Sequence, residues 1–297
     1  MAPEPRHGPP EPAAVRALAA AATEADGIAP YGEQTLLNLD ASGAAADVLH
    51  ARLVTGAGLV GYAQLDRGSA ELAVHPAARR AGHGTRLLEA MLAAGEGDLA
   101  IWAHGNLPGA RALAARYELA ARRELLYLTA DLGAGDPASD PAAALADRGL
   151  TSTTFTPGGR DEADWVALNA AAFADHPEQG RLTLADLHAR MAQPWFDPSL
   201  FWLARTREGG DLLGAMWVKP DEAGCSAEIY VLGVHPSAQG RRLGGLLTDL
   251  AMAEARRRGY ERMDLYVEGD NRPALATYAR HGFTTAQTHV QYSRAPA

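Results

Sequence analysis

The sequence predicts an α/β protein made of two tandem domains of one type, each a mixed, mostly antiparallel central sheet flanked by helices. Three observations carry this. The chain has 297 residues, more than one common domain needs. The run Glu71-Leu72-Ala73-Val74-His75-Pro76-Ala77-Ala78-Arg79-Arg80-Ala81-Gly82-His83-Gly84 returns in kind as Val231-Leu232-Gly233-Val234-His235-Pro236-Ser237-Ala238-Gln239-Gly240-Arg241-Arg242-Leu243-Gly244. The same succession of elements can also be followed on either side of a turn-rich segment at 133–149. That segment predicts domains at 1–132 and 150–297 joined by a linker.

In the first half, Ala13–Ala25 reads as a helix. Val48–Thr55, Leu59–Leu65 and Ser69–Val74 read as strands separated by Gly-containing turns. Leu87, Leu88, Met91 and Leu92 form a helical stripe. Leu99–Ala103 is a strand, Ala110–Arg116 a helix and Glu124–Ala130 a last strand. The second half repeats the order, with a helix at Glu162–Phe173 and strands at Phe201–Thr206, Leu212–Val218 and Ala227–Val234. Leu243, Leu246, Leu247 and Leu250 share one helix face. Arg262–Glu268 is a strand, Pro273–Arg280 a helix, and Thr285–Arg294 the strand that closes the second half. Antiparallel hairpins thus feed a central strand, which a helix connects to a parallel neighbour.

Composition narrows the function. Apolar residues make up 47% and charged residues 21%, enough to bury two cores in an ordinary globular chain. A net charge of −9 argues against a general binder of nucleic acid or of anionic membrane. Cys225 is the single cysteine, so no intramolecular disulfide and no Cys-based metal site can form. No histidine pair has metal-ligand spacing, and no metal is expected. The first twelve residues lack the apolar stretch of a signal peptide, and Arg16 and Glu24 interrupt the alanine-rich run. The expectation is a cytoplasmic monomer.

A strand, a turn rich in Arg and Gly and then a helix direct several backbone N–H groups at one point, where a diphosphate binds well. Arg79-Arg80-Ala81-Gly82-His83-Gly84 resembles the acetyl-CoA motif of the GCN5-related N-acetyltransferases (GNAT). The second copy carries Arg242 where the first has Gly82, with Gly240 two positions earlier able to relax the same turn. Asp264-Leu265-Tyr266-Val267-Glu268 and the following Asn271-Arg272-Pro273-Ala274, Tyr278 and Gly282-Phe283 resemble that family's next strand, its Asn-initiated helix and its Tyr-x-x-x-Gly-Phe ending. The resemblance implies an acetyl-CoA site at Leu72, Ala73, Val74, Arg79, Arg80, Ala81, Gly82, His83, Gly84 and Thr85. It implies a second at Leu232, Gly233, Val234, Gln239, Gly240, Arg241, Arg242, Leu243, Gly244 and Gly245, with Asn271, Arg272, Pro273, Ala274, Leu275 and Ala276.

His176-Pro177-Glu178-Gln179-Gly180, Glu228-Ile229-Tyr230-Val231-Leu232-Gly233-Val234 and Gly32-Glu33-Gln34 are similar to segments of the actinobacterial mycothiol synthase family, a resemblance that spans the chain. It implies acetyl transfer from acetyl-CoA to the cysteinyl amine of desacetylmycothiol. It also implies acceptor contacts at Glu33, Glu178, Lys219, Glu228 and Tyr266.

An amine attacking a thioester must lose a proton, the oxyanion needs donors, and the departing thiolate needs a proton. Glu228 is the candidate base and Tyr278 the candidate acid. Backbone around Leu232-Gly233-Val234 would pair with the pantetheine arm, with Gly233 marking a bulge or close approach. Aligning Val74 with Val234 sets Gly68 opposite Glu228, and aligning Ile101 with Leu265 sets Ala114 opposite Tyr278. The first half is therefore expected to hold cofactor without a carboxylate or phenol for chemistry. Two other readings share the cradle: acetylation of another small amine or of a protein N-terminus, and a non-catalytic acyl-CoA sensor.

Overall fold

A computed structural model describes the chain except residues 1–4, 9, 41–47, 96–98, 134–139, 175, 177–178, 208–209, 222–223 and 295–297. It divides into two compact units, residues 1–126 with 287–297, and residues 127–286.

The first unit begins with β1 (Arg6–His7), α1 (Pro12–Asp26) and α2 (Glu33–Asp40). Strands β2 (Leu49–Thr55), β3 (Gly58–Asp66) and β4 (Ser69–Val74) follow, then α3 (His83–Ala94), β5 (Ala100–Ala103) and α4 (Pro108–Arg116). β6 (Leu119–Asp131) starts in this unit and ends in the next. Pro12 occupies the first turn of α1, where its missing N–H costs nothing, and Gly27 ends the helix at φ 69°. Val15 and Leu18 bury one face of α1 against Tyr62 and Ala73, and Ala22 is buried on the same helix. Leu87, Leu88 and Met91 of α3 bury the other side of the sheet against Leu53, Ala63 and Ile101.

The second unit contains α5 (Pro141–Ala146), β7 (Thr151–Thr154), α6 (Arg160–Ala172), α7 (Leu184–Met191), β8 (Phe201–Arg205), β9 (Leu212–Pro220) and β10 (Ser226–Val234). α8 (Leu243–Arg257), β11 (Arg262–Glu268) and α9 (Arg272–Arg280) complete it. Its strand order is β6-β11-β10-β9-β8-β7. Trp217 is the hub of the core, stacked on Phe201 at 4.6 Å and edge-on to Trp165 at 5.7 Å. On α8 the buried face is Leu243, Leu247, Thr248, Ala251, Met252 and Ala255, rotated from the all-leucine stripe expected.

Two differences from the sequence expectation concern the chain's course. β12 (Thr284–Arg294), expected to close the second half, runs antiparallel to β5, with Val290 opposite Ala103 and Tyr292 opposite Ile101. Its residues from 287 onward belong to the first unit. Within the expected linker, residues 141–146 form α5, capped by Asp140, whose carboxylate accepts from Ala142 and Ala143 N–H. Among the described residues, no helix is long and apolar enough to cross a membrane.

Candidate active site

Each cradle starts at the end of a strand. The backbone N–H of His75 donates to Val60 and that of His235 to Leu213, both at 2.9 Å, and each imidazole Nδ1 accepts from the backbone two residues on. In the first loop Arg80 and Gly82 are left-handed at φ 65° and 80°; in the second Gly240 and Arg242 are left-handed at 74° and 60°. The two loops therefore alternate hand at the same two positions, with glycine and arginine exchanged. That alternation turns successive N–H groups inward, ahead of the N-termini of α3 and α8. Arg242 thus keeps the loop shape, at a cost of about 1–2 kcal/mol for a side chain in this region.

Arg79 does not offer its guanidinium to the cradle. It is paired through both Nη atoms with Asp26 at 2.7 Å, and this hydrogen bond raises its pKa. Arg80 is exposed beside it. His83, on the first turn of α3, is buried, and its Nδ1 has no hydrogen-bond partner among the described residues.

Beyond each cradle the sheet opens. Among the described residues, β4 pairs with β5 at Ser69↔Ala100 and Ala70↔Ile101, and β10 with β11 from Ser226↔Arg262 to Ile229↔Leu265. Past those points no further pairing of these strands is seen among the described residues, which leaves room beside β4 and β10 for an extended ligand arm. In the first unit a cleft of about 720 Å³ runs from the cradle past Leu72, Val74 and Trp102 to His104. In the second unit the β10–β9 register slips between Ile229 and Val231, so the bulge lies at Tyr230. Gly233 keeps regular pairing with Ala215, and a Cβ there would meet only ordinary contacts at 3.7 Å, so the expected bulge at Gly233 is corrected.

The second unit gathers several expected site residues. Glu228 stands opposite Lys219 on β9 and beside Asp264 on β11. Tyr266, 45% exposed, has its pKa raised by burial around the hydroxyl and then by the charges of Glu228 and Asp264. Lys219 Nζ lies 4.7 Å from the Trp195 ring centre and 5.4 Å from that of Tyr230, held by cation–π attraction. Tyr278 is on α9, buried and packed edge-on against Phe283 at 5.6 Å, and burial raises its pKa, which keeps the phenol protonated. Asn271 caps α9 by accepting from Ala274 N–H at 3.2 Å. Glu33 lies in the first unit, on the first turn of α2. Glu178 lies outside the described residues.

Sequence reasoning missed the neighbours Asp264, Tyr127 and Trp195. Tyr127 hydrogen-bonds Asp264 and packs on Tyr266 with ring centres 5.0 Å apart. The alternation of β11 already sets Asp264 and Tyr266 on one face, a usable signal.

The first unit holds a buried carboxylate, Glu71, but not at the position that corresponds to Glu228. Glu71 accepts from Gly32 N–H at 2.9 and 3.1 Å and bonds His104 Nε2 at 2.8 Å. Burial alone would raise its pKa. The charge and hydrogen bond of His104, with Gly32 and Thr35, outweigh burial and hold the carboxyl below its ordinary value. A Cβ on Gly32 would sit 3.0 Å from the carboxylate, so a larger residue there would press on Glu71. Because β10 is bulged, Ser69 rather than Gly68 corresponds to Glu228: Ser69 faces Asp66 and Ala100 as Glu228 faces Lys219 and Asp264. Ala114 remains the counterpart of Tyr278.

His104 Nδ1 lies 3.1 Å from His289 Nδ1, which accepts from Gly105 N–H. Burial, then the charge of His104, pushes the His289 pKa down to about 4, so this imidazole is neutral in the fold. As pH falls from about 6.5 the unfolded chain takes up a proton at His289 that the folded chain refuses, so stability is lost progressively down to about pH 4. Glu71 adds loss in the same direction, its contribution vanishing as pH falls through its lowered folded value. A thermal-melting series should show this acid slope, with His289 supplying on the order of 2–3 kcal/mol. His289→Asn, which keeps an acceptor for Gly105, should flatten it; an unchanged slope would remove His289 from the account.

The GNAT acetyltransferase family model matches residues 165–283. The chain is 48% identical to the mycothiol acetyltransferase of Sanguibacter keddieii, over 95% of this chain and 92% of that one. It is 48% identical to the mycothiol acetyltransferase of Beutenbergia cavernae, over 94% of both. Among solved structures it is similar to a GCN5-related N-acetyltransferase from Sphaerobacter thermophilus, with TM-score 0.68, 22% identity and coverage of 99% and 96%. It is equally similar to a tandem GNAT protein from the clavulanic acid biosynthesis pathway, with TM-score 0.68, 20% identity and coverage of 99% and 100%. These two likenesses are of fold.

Proposed function

Because the chain belongs to the mycothiol acetyltransferase family, we propose that it transfers acetyl from acetyl-CoA to the cysteinyl amine of desacetylmycothiol, releasing mycothiol and CoA. The observation that carries the reading is the grouping of Glu228, Lys219 and Tyr266 where β10 and β11 part, with a cradle at the end of the same strand.

The chemistry follows from the groups present. Glu228 takes a proton from the acceptor ammonium, directly or through a water, and frees the nitrogen lone pair. That pair attacks the thioester carbon, and backbone N–H groups of β10 near Leu232–Val234 receive the charge that develops on oxygen. As the carbon–sulfur bond breaks, the protonated Tyr278 phenol gives its proton to sulfur, and the second proton, which the nitrogen sheds on becoming an amide, restores the phenol. Tyr266 and Lys219 hydrogen-bond the hydroxyl-rich acceptor, and the family resemblance assigns Glu33 and Glu178 the same kind of role. Free-thiol release with desacetylmycothiol, against a panel of polyamines, aminoglycosides and peptides, tests the reading. Faster turnover of any panel amine would replace it.

The two halves divide the labour in this reading. Chemistry belongs to residues 150–297, and the first cradle holds acetyl-CoA without turning it over. Support comes from Glu71, whose carboxylate is already committed to Gly32 and His104 and is poorly suited to accept a proton. Gly82→Trp sets a bulky uncharged indole into the open cleft that Gly82 lines, where the diphosphate would lie, and equilibrium binding should then count one acetyl-CoA per chain instead of two. An undiminished count would overturn the first site.

A further inference from the structure

The two units differ in what borders the gap between their parallel strands. In the second, Tyr278 and Phe283 are buried as an aromatic pair. In the first, Ala114 and Leu119 occupy the matching positions. The match is fixed at both ends: Ala70↔Ile101 and Ile229↔Leu265 are equivalent pairings, and Glu118 and Gly282, each just before the residue compared, are both left-handed at φ 54° and 83°. The first unit's cleft of about 720 Å³ extends to the buried side chains of Leu88, Ile101, Ala114 and Leu119. Where one unit holds a phenol, the other holds space walled by hydrocarbon.

We propose that the first unit's cleft takes CoA thioesters whose acyl group is larger than acetyl, a short saturated chain such as butyryl. Its extra methylenes fill the place that Tyr278 occupies in the second unit. The proposal rests on the reading of the first cradle as a CoA-thioester site. An acetyl group leaves the aliphatic wall without contacts, whereas each further methylene moved out of water contributes about fourfold in affinity. Butyryl-CoA should therefore bind this site about 15-fold more tightly than acetyl-CoA. No bond is made or broken there in this scheme: Ser69 stands where the second unit has Glu228, and Glu71 is already engaged.

The test is a titration of the full chain with CoA, acetyl-CoA, butyryl-CoA and hexanoyl-CoA, read as stoichiometry and affinity per site. Two sites are expected, with one preferring butyryl-CoA over acetyl-CoA. Gly82→Trp should remove that site and leave the other. Ala114→Tyr should abolish its butyryl preference while acetyl-CoA still binds, and Ala114→Val should reduce the preference by an intermediate amount. If Gly82→Trp removes no site, the reading of the first cradle fails and the proposal falls with it. If two sites are present but neither favours the longer chain, the acyl-pocket inference alone is overturned. Equal weakening of all thioesters by both Ala114 variants overturns it too. The chain-length series on the unaltered protein decides the matter even if the tyrosine variant does not fold.

Discussion

Glu228→Gln is expected to lower turnover of desacetylmycothiol by about 10²–10⁴-fold, the usual contribution of a general base. Acetyl-CoA affinity should change little, because Glu228 lies six positions before Val234, where the cradle begins, and faces Lys219 and Asp264 instead. Glutamine keeps the shape and the hydrogen-bonding reach but cannot take the ammonium proton. The measurement is turnover at saturating substrates beside equilibrium binding of acetyl-CoA. Turnover within a few-fold of the unaltered enzyme would exclude Glu228 as the base. Glu228 would then be left to contact the acceptor, and the Michaelis constant for the amine would carry the effect.

Tyr278→Phe should slow the chemical step by about 10²-fold. The change removes only the hydroxyl, and the ring keeps its contact with Phe283, so the melting temperature should stay close to that of the unaltered protein. Rapid-quench measurement of the first turnover separates this loss from slow product release. An unchanged rate with a lowered melting temperature would make Tyr278 a core aromatic and nothing more. Glu228 and Tyr278 act on opposite partners of one transfer, so their effects should not add when combined, as is usual for groups that work as a unit.

Much of this architecture is legible in the sequence because it is local. The strands around the cradles, the α3 leucine row and the Asn271 cap depend on residues a few positions apart, and periodicity reports them directly. The loop shape at Arg242 is local too, but the glycine pattern hides it: handedness, not residue type, is what the two loops share. The short helices at Glu33–Asp40 and Leu184–Met191 were not anticipated, since eight residues give little more than two turns of periodicity. Register is harder still. One extra residue at Tyr230 shifts the counterpart of Glu228 from Gly68 to Ser69, and no gap-free alignment can reveal it. The Glu71–His104–His289 cluster joins positions 33 and 185 residues apart, and only tertiary structure brings such positions together.

β12 carries a consequence for how the chain is made. Tyr292, which bonds Asn106, is synthesised 186 residues after it. Domains usually fold in the order of synthesis, N-terminal first. Here the unit made first keeps an unfilled edge at β5 until residues 290–293 have been made, whereas residues 127–286 form one contiguous stretch. An unpaired strand edge is a template for pairing with other chains. Slow elongation between β5 and β12 would prolong that exposure, so chaperone demand should fall on the earlier-made unit.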